Sequence, residues 1–73
     1  MTLDQANKGQ RLVIQAIASP EISTQIIRFG LGVGEAAICQ EKLPNGPVIL
    51  RKNRQEIAIG RDLARAITIE IVS

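Results

Sequence analysis

The side chains that could carry out covalent chemistry are few in this sequence. It contains one cysteine, Cys39, and no histidine. A cysteine or serine nucleophile needs an adjacent base, and histidine is the usual one. Cys39 lies between Ile38 and Gln40 in a stretch typical of a strand, so we interpret it as a small buried core residue. The sequence thus offers no nucleophile with a histidine base, and we expect no enzymatic activity.

Acidic side chains could form an acid–base pair or hold a divalent metal, provided that several of them converge. The seven Asp and Glu residues are instead spread along the chain. A zinc site of the Cys/His type cannot be assembled from one cysteine. Glu21 is better explained as a first-turn residue that complements a helix dipole. The sequence predicts no bound metal and no cofactor.

Three closely spaced glycines, Gly30, Gly32 and Gly34, are similar in composition to a phosphate-binding loop. In such loops the glycines precede a helix, so that backbone N–H groups and the helix N-terminus face the phosphate. Here the glycines follow a predicted helix. We therefore expect them to cap that helix and to form turns, and we predict no nucleotide site.

Basic residues are concentrated in the second half of the chain, from Arg51 to Arg65. Small barrels that bind single strands stack the bases on aromatic side chains, and Phe29 is the one aromatic residue of the sequence. The formal net charge is only +2, and contacts to a charged backbone alone give weak, salt-sensitive binding. We interpret these residues as a solvated surface and predict no nucleic-acid partner.

The elements that must position these residues are predicted to be five short strands and one early helix. The helix follows the N-cap Ser19, has Pro20 in its first turn and ends at Gly30. Runs of β-branched residues between turn signals predict the strands. These strands cover 11–17, 35–43, 48–52, 56–59 and 67–71, with a helical turn over 60–66. The first strand lacks clean alternation, which indicates a bulge.

The 73 residues are expected to form a single domain over 1–73 with an aliphatic core. Ile22, Ile26 and Phe29 follow the spacing of one buried helical stripe, so we expect Phe29 in the core. Closure would remove the exposed edges of a five-stranded sheet. The predicted fold is all-β: a small five-stranded antiparallel barrel with one early α-helix and a short helical turn before the last strand.

The cellular location is predicted from the N-terminus and from the pattern of apolar residues. The chain starts Met1-Thr2-Leu3-Asp4, which lacks the basic and apolar regions of a secretory signal. It has no run of about 20 apolar residues that could span a membrane. One unpaired cysteine is typical of a reducing compartment. We expect a cytoplasmic protein without membrane insertion.

Contact with a protein partner is the remaining mode of action, and two surfaces are candidates. The favoured surface is the helix with its exit loop, where apolar side chains in a Gly-rich turn beside a charge would make a docking patch. Its residues are Thr24, Arg28, Leu31 and Val33. The second is a basic rim at the two later turns, with Arg51, Lys52, Asn53, Arg54 and Arg61. The sequence leaves open that Leu31 and Val33 fold under the barrel end instead.

The order and spacing of several motifs resemble the FeoA family, ferrous iron transport protein A, over nearly the full length of the chain. The resemblance rests on Leu3 before Gly9, Arg28-Phe29-Gly30-Leu31, Gly34, Pro44 with Gly46-Pro47, Ile57 and Ile59, and Asp62-Leu63-Ala64 with Ile67. It implies an SH3-like barrel in a cytosolic bacterial protein. It also implies a partner, FeoB, which is a large membrane permease that carries a GTPase domain and imports ferrous iron.

The resemblance implies an accessory protein that binds the permease and tunes it, with no catalytic residues of its own. Weak self-association is compatible with it. The alternative is a free-standing, metal-responsive interaction module that is related to the SH3-like C-terminal domain of iron-dependent repressors. The chain offers no DNA-reading pair of helices that would support a repressor role.

Overall fold

A computed structural model describes residues 1–72. A short 3-10 helix, Leu3–Gln5, precedes the first strand. The strands are β1 Arg11–Ile17, β2 Ala36–Lys42, β3 Val48–Lys52, β4 Gln55–Ile59 and β5 Ile67–Ile71. The helices are α1 Pro20–Ile27, between β1 and β2, and α2 Arg61–Arg65, between β4 and β5. The predicted elements are therefore confirmed, with strand ends shifted by at most one residue; the 3-10 helix is additional.

The five strands form one antiparallel sheet in the order β4-β3-β2-β1-β5. The predicted bulge in β1 is present, because the β1–β5 register shifts between Ile14 and Ala16. A second shift lies in β2 between Cys39 and Glu41. Bulges increase local twist and bend a strand, so these two positions curve the sheet around its apolar face. The all-β, SH3-like fold class is confirmed.

The sheet is not closed by hydrogen bonds, which corrects one detail of the predicted barrel. β4 and β5 are its two edges and do not pair with each other. The N-terminal segment covers part of β5, through a bridge between Thr2 and Thr68 and a 2.8 Å bond from the Ile69 N–H to the Met1 carbonyl. A covered edge, like the edge of a closed barrel, is protected from pairing with a strand of another molecule.

The core is aliphatic, as predicted, and it lies against the inner face of the sheet. Alternate residues of each strand point inward, as the period of a β-strand requires. The N-terminal segment contributes Leu3 and Ala6, both fully buried. The other fully buried large side chains are Leu12, Ile14, Ile26, Leu31, Cys39, Val48, Leu50, Ile59, Ile67 and Ile69.

The prediction that Phe29 lies in the core is wrong, since its side chain is 47% exposed. α1 ends at Ile27, and the last turn tightens there, with the Phe29 N–H bonded to the Ile26 carbonyl at 3.0 Å. The 3.6-residue period therefore no longer holds at Phe29, and its side chain leaves the buried stripe. Ile26 is fully buried, and Ile22 packs against the core as predicted.

Candidate interaction surface

The end of α1 is a Schellman motif, and it decides which apolar side chains are exposed. Gly30 has φ +76° and donates its N–H to the Ile27 carbonyl at 2.9 Å. The Leu31 N–H reaches the Ile26 carbonyl at 3.3 Å. In this motif the residue after the left-handed glycine packs on the last helical turn, and Leu31 and Ile26 are both fully buried.

The burial of Leu31 corrects the predicted docking patch. A side chain with no exposed area cannot contact a partner without unfolding its surroundings. The apolar residue after a C-capping glycine was a signal in the sequence for this burial. Val33, in contrast, is accessible to a partner, because its side chain is 63% exposed.

The segment after the cap is fixed to the sheet by backbone bonds. Gly34 has φ +92°, and its N–H donates to the Ile14 carbonyl at 2.8 Å. The Glu35 N–H closes a turn by bonding the Gly32 carbonyl at 3.0 Å, and the Glu35 carbonyl accepts from the Ile14 N–H at 3.0 Å. Val33 lies within this turn, so β1 holds the backbone on which it is displayed.

Lys52 connects this segment to the end of β3. Its ammonium donates to the Gly30 carbonyl and, at 2.7 Å, to Glu35 Oε2. The Lys52 side chain is only 18% exposed, whereas that of Glu35 is 50% exposed. The exit loop and the basic rim, which the sequence presents as two separate surfaces, therefore meet at Lys52.

Three exposed apolar side chains lie between the last turn of α1 and Gly34, and with Arg28 we call this set the exit-loop patch: Ile27, Phe29 and Val33. Ile27 is 60% exposed, and Arg28 is exposed. The sequence interpretation missed Ile27 and Phe29 as surface residues. Ile27 follows Ser23 and Thr24 by four and three residues, which places it on the predicted wet face of the helix.

The remaining predicted surface residues are accessible with two exceptions. Thr24 is exposed on α1, and its hydroxyl donates to the Pro20 carbonyl of the same helix at 2.9 Å. Arg51 on β3, and Asn53 and Arg54 in the turn after it, are exposed. The exceptions are Lys52, which is engaged with Gly30 and Glu35 as described above, and Arg61, whose guanidinium donates to the Gly46 and Leu43 carbonyls at 2.7 and 2.8 Å.

A shallow cleft of about 340 Å³ lies on the outer face of the sheet beside Lys52. Three cationic side chains line it, together with one acidic side chain and the exposed Ile38. Its lining is Arg11, Glu35, Ala36, Ala37, Ile38, Arg51, Lys52 and Asn53. Arg11 was absent from the predicted surfaces, because only the strand pairing places it near Arg51.

Cys39 is fully buried and has no disulfide partner. Burial raises the pKa of its thiol above the ordinary value, with a smaller opposing effect from Lys42. The reactive thiolate is therefore disfavoured at neutral pH. Within residues 1–72 no group of three His, Cys, Asp or Glu side chains lies close enough to hold a metal ion. Over the same residues, no helix has the length and apolar character of a transmembrane span.

These observations define a class: a small SH3-like domain with exposed apolar and basic side chains on its surface. The sequence model described as the FeoA domain matches residues 1–71. The chain therefore belongs to the FeoA family, and the resemblance noted in the sequence is confirmed. Membership places it in the context of iron transport. No curated protein sequence matches the chain.

Three solved structures illustrate the fold similarity. A crystal structure of the iron uptake regulatory protein FeoA has a TM-score of 0.90 at 22% identity, covering 99% of this chain and 97% of that one. A solution NMR structure of FeoA from Chlorobium tepidum has a TM-score of 0.87 at 24% identity, covering 100% and 71%. ScaR with bound Zn²⁺ has a TM-score of 0.84 at 21% identity, covering 99% of this chain and 37% of ScaR.

Proposed function

We propose that this chain is a cytosolic accessory protein of ferrous iron uptake that docks onto the GTPase-bearing part of a FeoB-type membrane permease. Family membership supplies the context of iron transport. The observation that carries the docking proposal is the exit-loop patch, where Ile27, Phe29 and Val33 are each about half exposed or more. Three exposed apolar side chains within one seven-residue segment make that segment a candidate contact site.

The patch is suited to docking because its backbone is already ordered. The glycine cap, the turn at Val33 and the Lys52 contacts hold the loop in one conformation. A preorganised surface loses little conformational freedom on binding, so more of the contact energy contributes to affinity. Arg28 adds a cationic group beside the apolar side chains, which favours an apolar partner surface with an acidic neighbour.

Docking would act on the permease by changing the relative populations of its conformational or nucleotide-bound states. A bound protein can change the balance between two conformational or nucleotide-bound states only as far as it binds them with different affinity. The chain would therefore bind the cytosolic part of the permease with a nucleotide-dependent affinity. Any hydrolysis of GTP would be carried out by the permease.

The test measures capture of the purified cytosolic GTPase region of the permease by immobilised full-length chain. Val33→Asp places a charge in the patch while leaving the core intact, and we expect about tenfold weaker capture, which corresponds to about 1.4 kcal/mol. Leu43→Asp is the matched control. Leu43 is 42% exposed and follows the far end of β2, so the same change there leaves capture unchanged.

Three outcomes would contradict the proposal: no capture by the unmodified chain, equal capture by the Val33→Asp variant, or equal loss in both variants. Circular dichroism of each variant establishes that it is folded. Leu31 is unsuitable for this test, because replacing a fully buried residue changes stability as well as any surface.

The alternative function is a metal-responsive interaction module. Its support is the fold similarity to ScaR, whose structure contains Zn²⁺. Calorimetric titration of the chain with Fe²⁺ under anaerobic conditions separates the two functions. Micromolar binding by the isolated chain would favour the alternative, whereas permease capture without such binding favours the docking function.

A further inference from the structure

One row of side chains crosses the outer face of the sheet and carries no assigned role. The strand register places Arg11 of β1 opposite Ile38 of β2, and Ile38 opposite Arg51 of β3. Residues directly opposite each other point to the same face. The neighbouring residues Leu12, Ala37 and Leu50 are buried, so the three members of the row point outward.

The spacing within this row follows from sheet geometry. Neighbouring strands lie about 4.8 Å apart, so the Cα atoms of Arg11 and Arg51 are about 10 Å apart, with Ile38 between them. Ile38 is 38% exposed, and Ala36 lies two residues away on the same strand. The short Ala36 side chain leaves the depression beside Ile38 that forms the cleft.

Neither arginine is in an ion pair with another residue of 1–72. The ion pairs among residues 1–72 are Lys8–Glu41, Lys52–Glu35 and Arg65–Asp62. The Lys52–Glu35 pair neutralises itself at one end of the cleft, so the remaining charge of the cleft lining comes from Arg11 and Arg51. Glu56 is opposite Arg51 on β4 and offsets part of its charge, although its carboxylate also accepts from the Gln40 amide. Two guanidinium groups, neither of them in an ion pair within residues 1–72, therefore flank an apolar side chain.

We propose that this cleft binds an acidic segment of a partner protein, in which two carboxylates flank an apolar side chain. Side chains of an extended segment alternate between its two faces, so the carboxylates must be at positions i and i+4 and the apolar side chain at i+2 for all three to face the cleft. The two carboxylate positions are then about 13 Å apart, and the long arginine side chains can cover the difference from about 10 Å. Each guanidinium can pair with one carboxylate in the planar, two-bond geometry that arginine favours. The apolar side chain of the segment contacts Ile38.

A protein segment fits this surface better than other anionic ligands do. A nucleic acid would find no aromatic side chain on the row for stacking. A lone phosphate would leave Ile38 and one arginine unused. Lys52 lies both in the cleft and against Gly30, so the cleft adjoins the exit-loop patch. The inference rests on the proposed function only for the identity of the protein that supplies the segment.

The test uses the full chain labelled with ¹⁵N and needs no permease. It is titrated with an acetylated, amidated peptide that contains Glu-Ser-Leu-Ser-Glu, and separately with its Gln-Ser-Leu-Ser-Gln counterpart. We expect amide shifts at 11, 36–38 and 51–53 with the acidic peptide only, weakening as salt is raised. Arg11→Gln and Arg51→Gln should each reduce the affinity two- to fivefold. Arg65→Gln, on α2, is the matched control and leaves the affinity unchanged.

Glutamine is used in place of a reversed charge because an acid at 51 would face Glu56 across the strands and destabilise the sheet. Equal shifts with both peptides, shifts located elsewhere, or an affinity insensitive to both arginine variants would overturn the proposal. Equal binding of inorganic phosphate, or binding only to vesicles that contain phosphatidylglycerol, would also overturn it. A positive titration with no permease capture would leave this site intact and refute the proposed function.

Discussion

At the scale of single residues, Lys52 has the most consequential set of contacts on this surface. Its ammonium is bonded to the Gly30 carbonyl and to Glu35, and its side chain is largely buried. A bond between a charged donor and a backbone carbonyl contributes more to stability than a neutral one, while an exposed ion pair contributes little. The carbonyl contact is therefore the important one.

Lys52→Met separates these two contributions. Methionine keeps the apolar part of the side chain out to Cε but leaves the Gly30 carbonyl without its donor, so we expect the free energy of unfolding to fall by about 1–2 kcal/mol. Glu35→Gln, the matched control, removes only the exposed charge and should cost less than about 0.5 kcal/mol. The chain has no Trp or Tyr, so urea unfolding is followed by far-ultraviolet circular dichroism. Equal losses in the two variants would contradict this assignment.

At the scale of elements, the end of α1 shows how a local rule overrides a periodic one. The helical period assigns Phe29 to the core, whereas the capping motif places Leu31 there. The capping motif determines which side chain is buried because the turn ends the helical geometry before Phe29. Gly30 also accepts the left-handed conformation of the motif without a steric cost. One glycine therefore determines which apolar side chains the exit-loop patch displays.

Gly30→Ala tests this dependence. An alanine at φ +76° would be strained, and its Cβ would approach Lys52 Nζ to 3.1 Å. We expect a loss of about 1–2 kcal/mol in the free energy of unfolding, measured by urea denaturation. Gly32→Ala is the control, since Gly32 has no positive φ and open space around it. A loss below about 0.5 kcal/mol is expected there, and similar losses at both positions would refute the argument.

The limits of strands and helices could be predicted from the sequence where strong local signals mark their ends. β1, β3 and β5 were predicted at their observed limits. In β1 and β3 a β-branched run lies next to turn-forming residues, and in β5 apolar and polar residues alternate. Asn53 adopts the predicted left-handed conformation, with φ 56°. The 3-10 helix at Leu3–Gln5 was missed although a local signal is present: Thr2 and Gln5 have capping-box spacing, and the Thr2 N–H donates to Gln5 Oε1 at 2.9 Å. Its other anchors, Leu3 in the core and the bridge to β5, are tertiary contacts that the sequence does not show.

The candidate surface was less predictable, since it depends on contacts between distant segments. Thr24, Arg28, Val33, Arg51 and Arg54 are exposed as an accessible surface requires, but their role in docking stays a prediction. The proximity of Arg11 to Arg51 follows from strand register. That register depends on strand order and bulges, which a single sequence does not specify.

At the scale of the whole molecule, the two edges of the open sheet are unequal. β5 is covered in part by the N-terminal segment, which Leu3 and Ala6 anchor in the core. β4 has no strand on its outer side within residues 1–72. It is only five residues long and carries the exposed Glu56, and both features limit unwanted pairing at an edge.

Amide hydrogen exchange should report this difference. In the β3–β4 hairpin, Lys52 and Gln55 close a two-residue turn, so the N–H groups of Glu56 and Ala58 point away from β3. We expect Ala58 to exchange rapidly, whereas Ile57 is protected by pairing with Leu50.

Ile69 lies on the other edge, yet we expect its amide to be protected as strongly as that of Ile57, because its N–H donates to the Met1 carbonyl. Leu3→Ala loosens the anchor of the N-terminal segment and should cost about 2–4 kcal/mol by creating a cavity. The protection of Ile69 should then fall more than that of Ile57 does. Rapid exchange of Ile69 in the unmodified chain would mean that the N-terminal segment does not cover β5. The molecule would then have two open edges, and self-association through β5 would become the first property to measure.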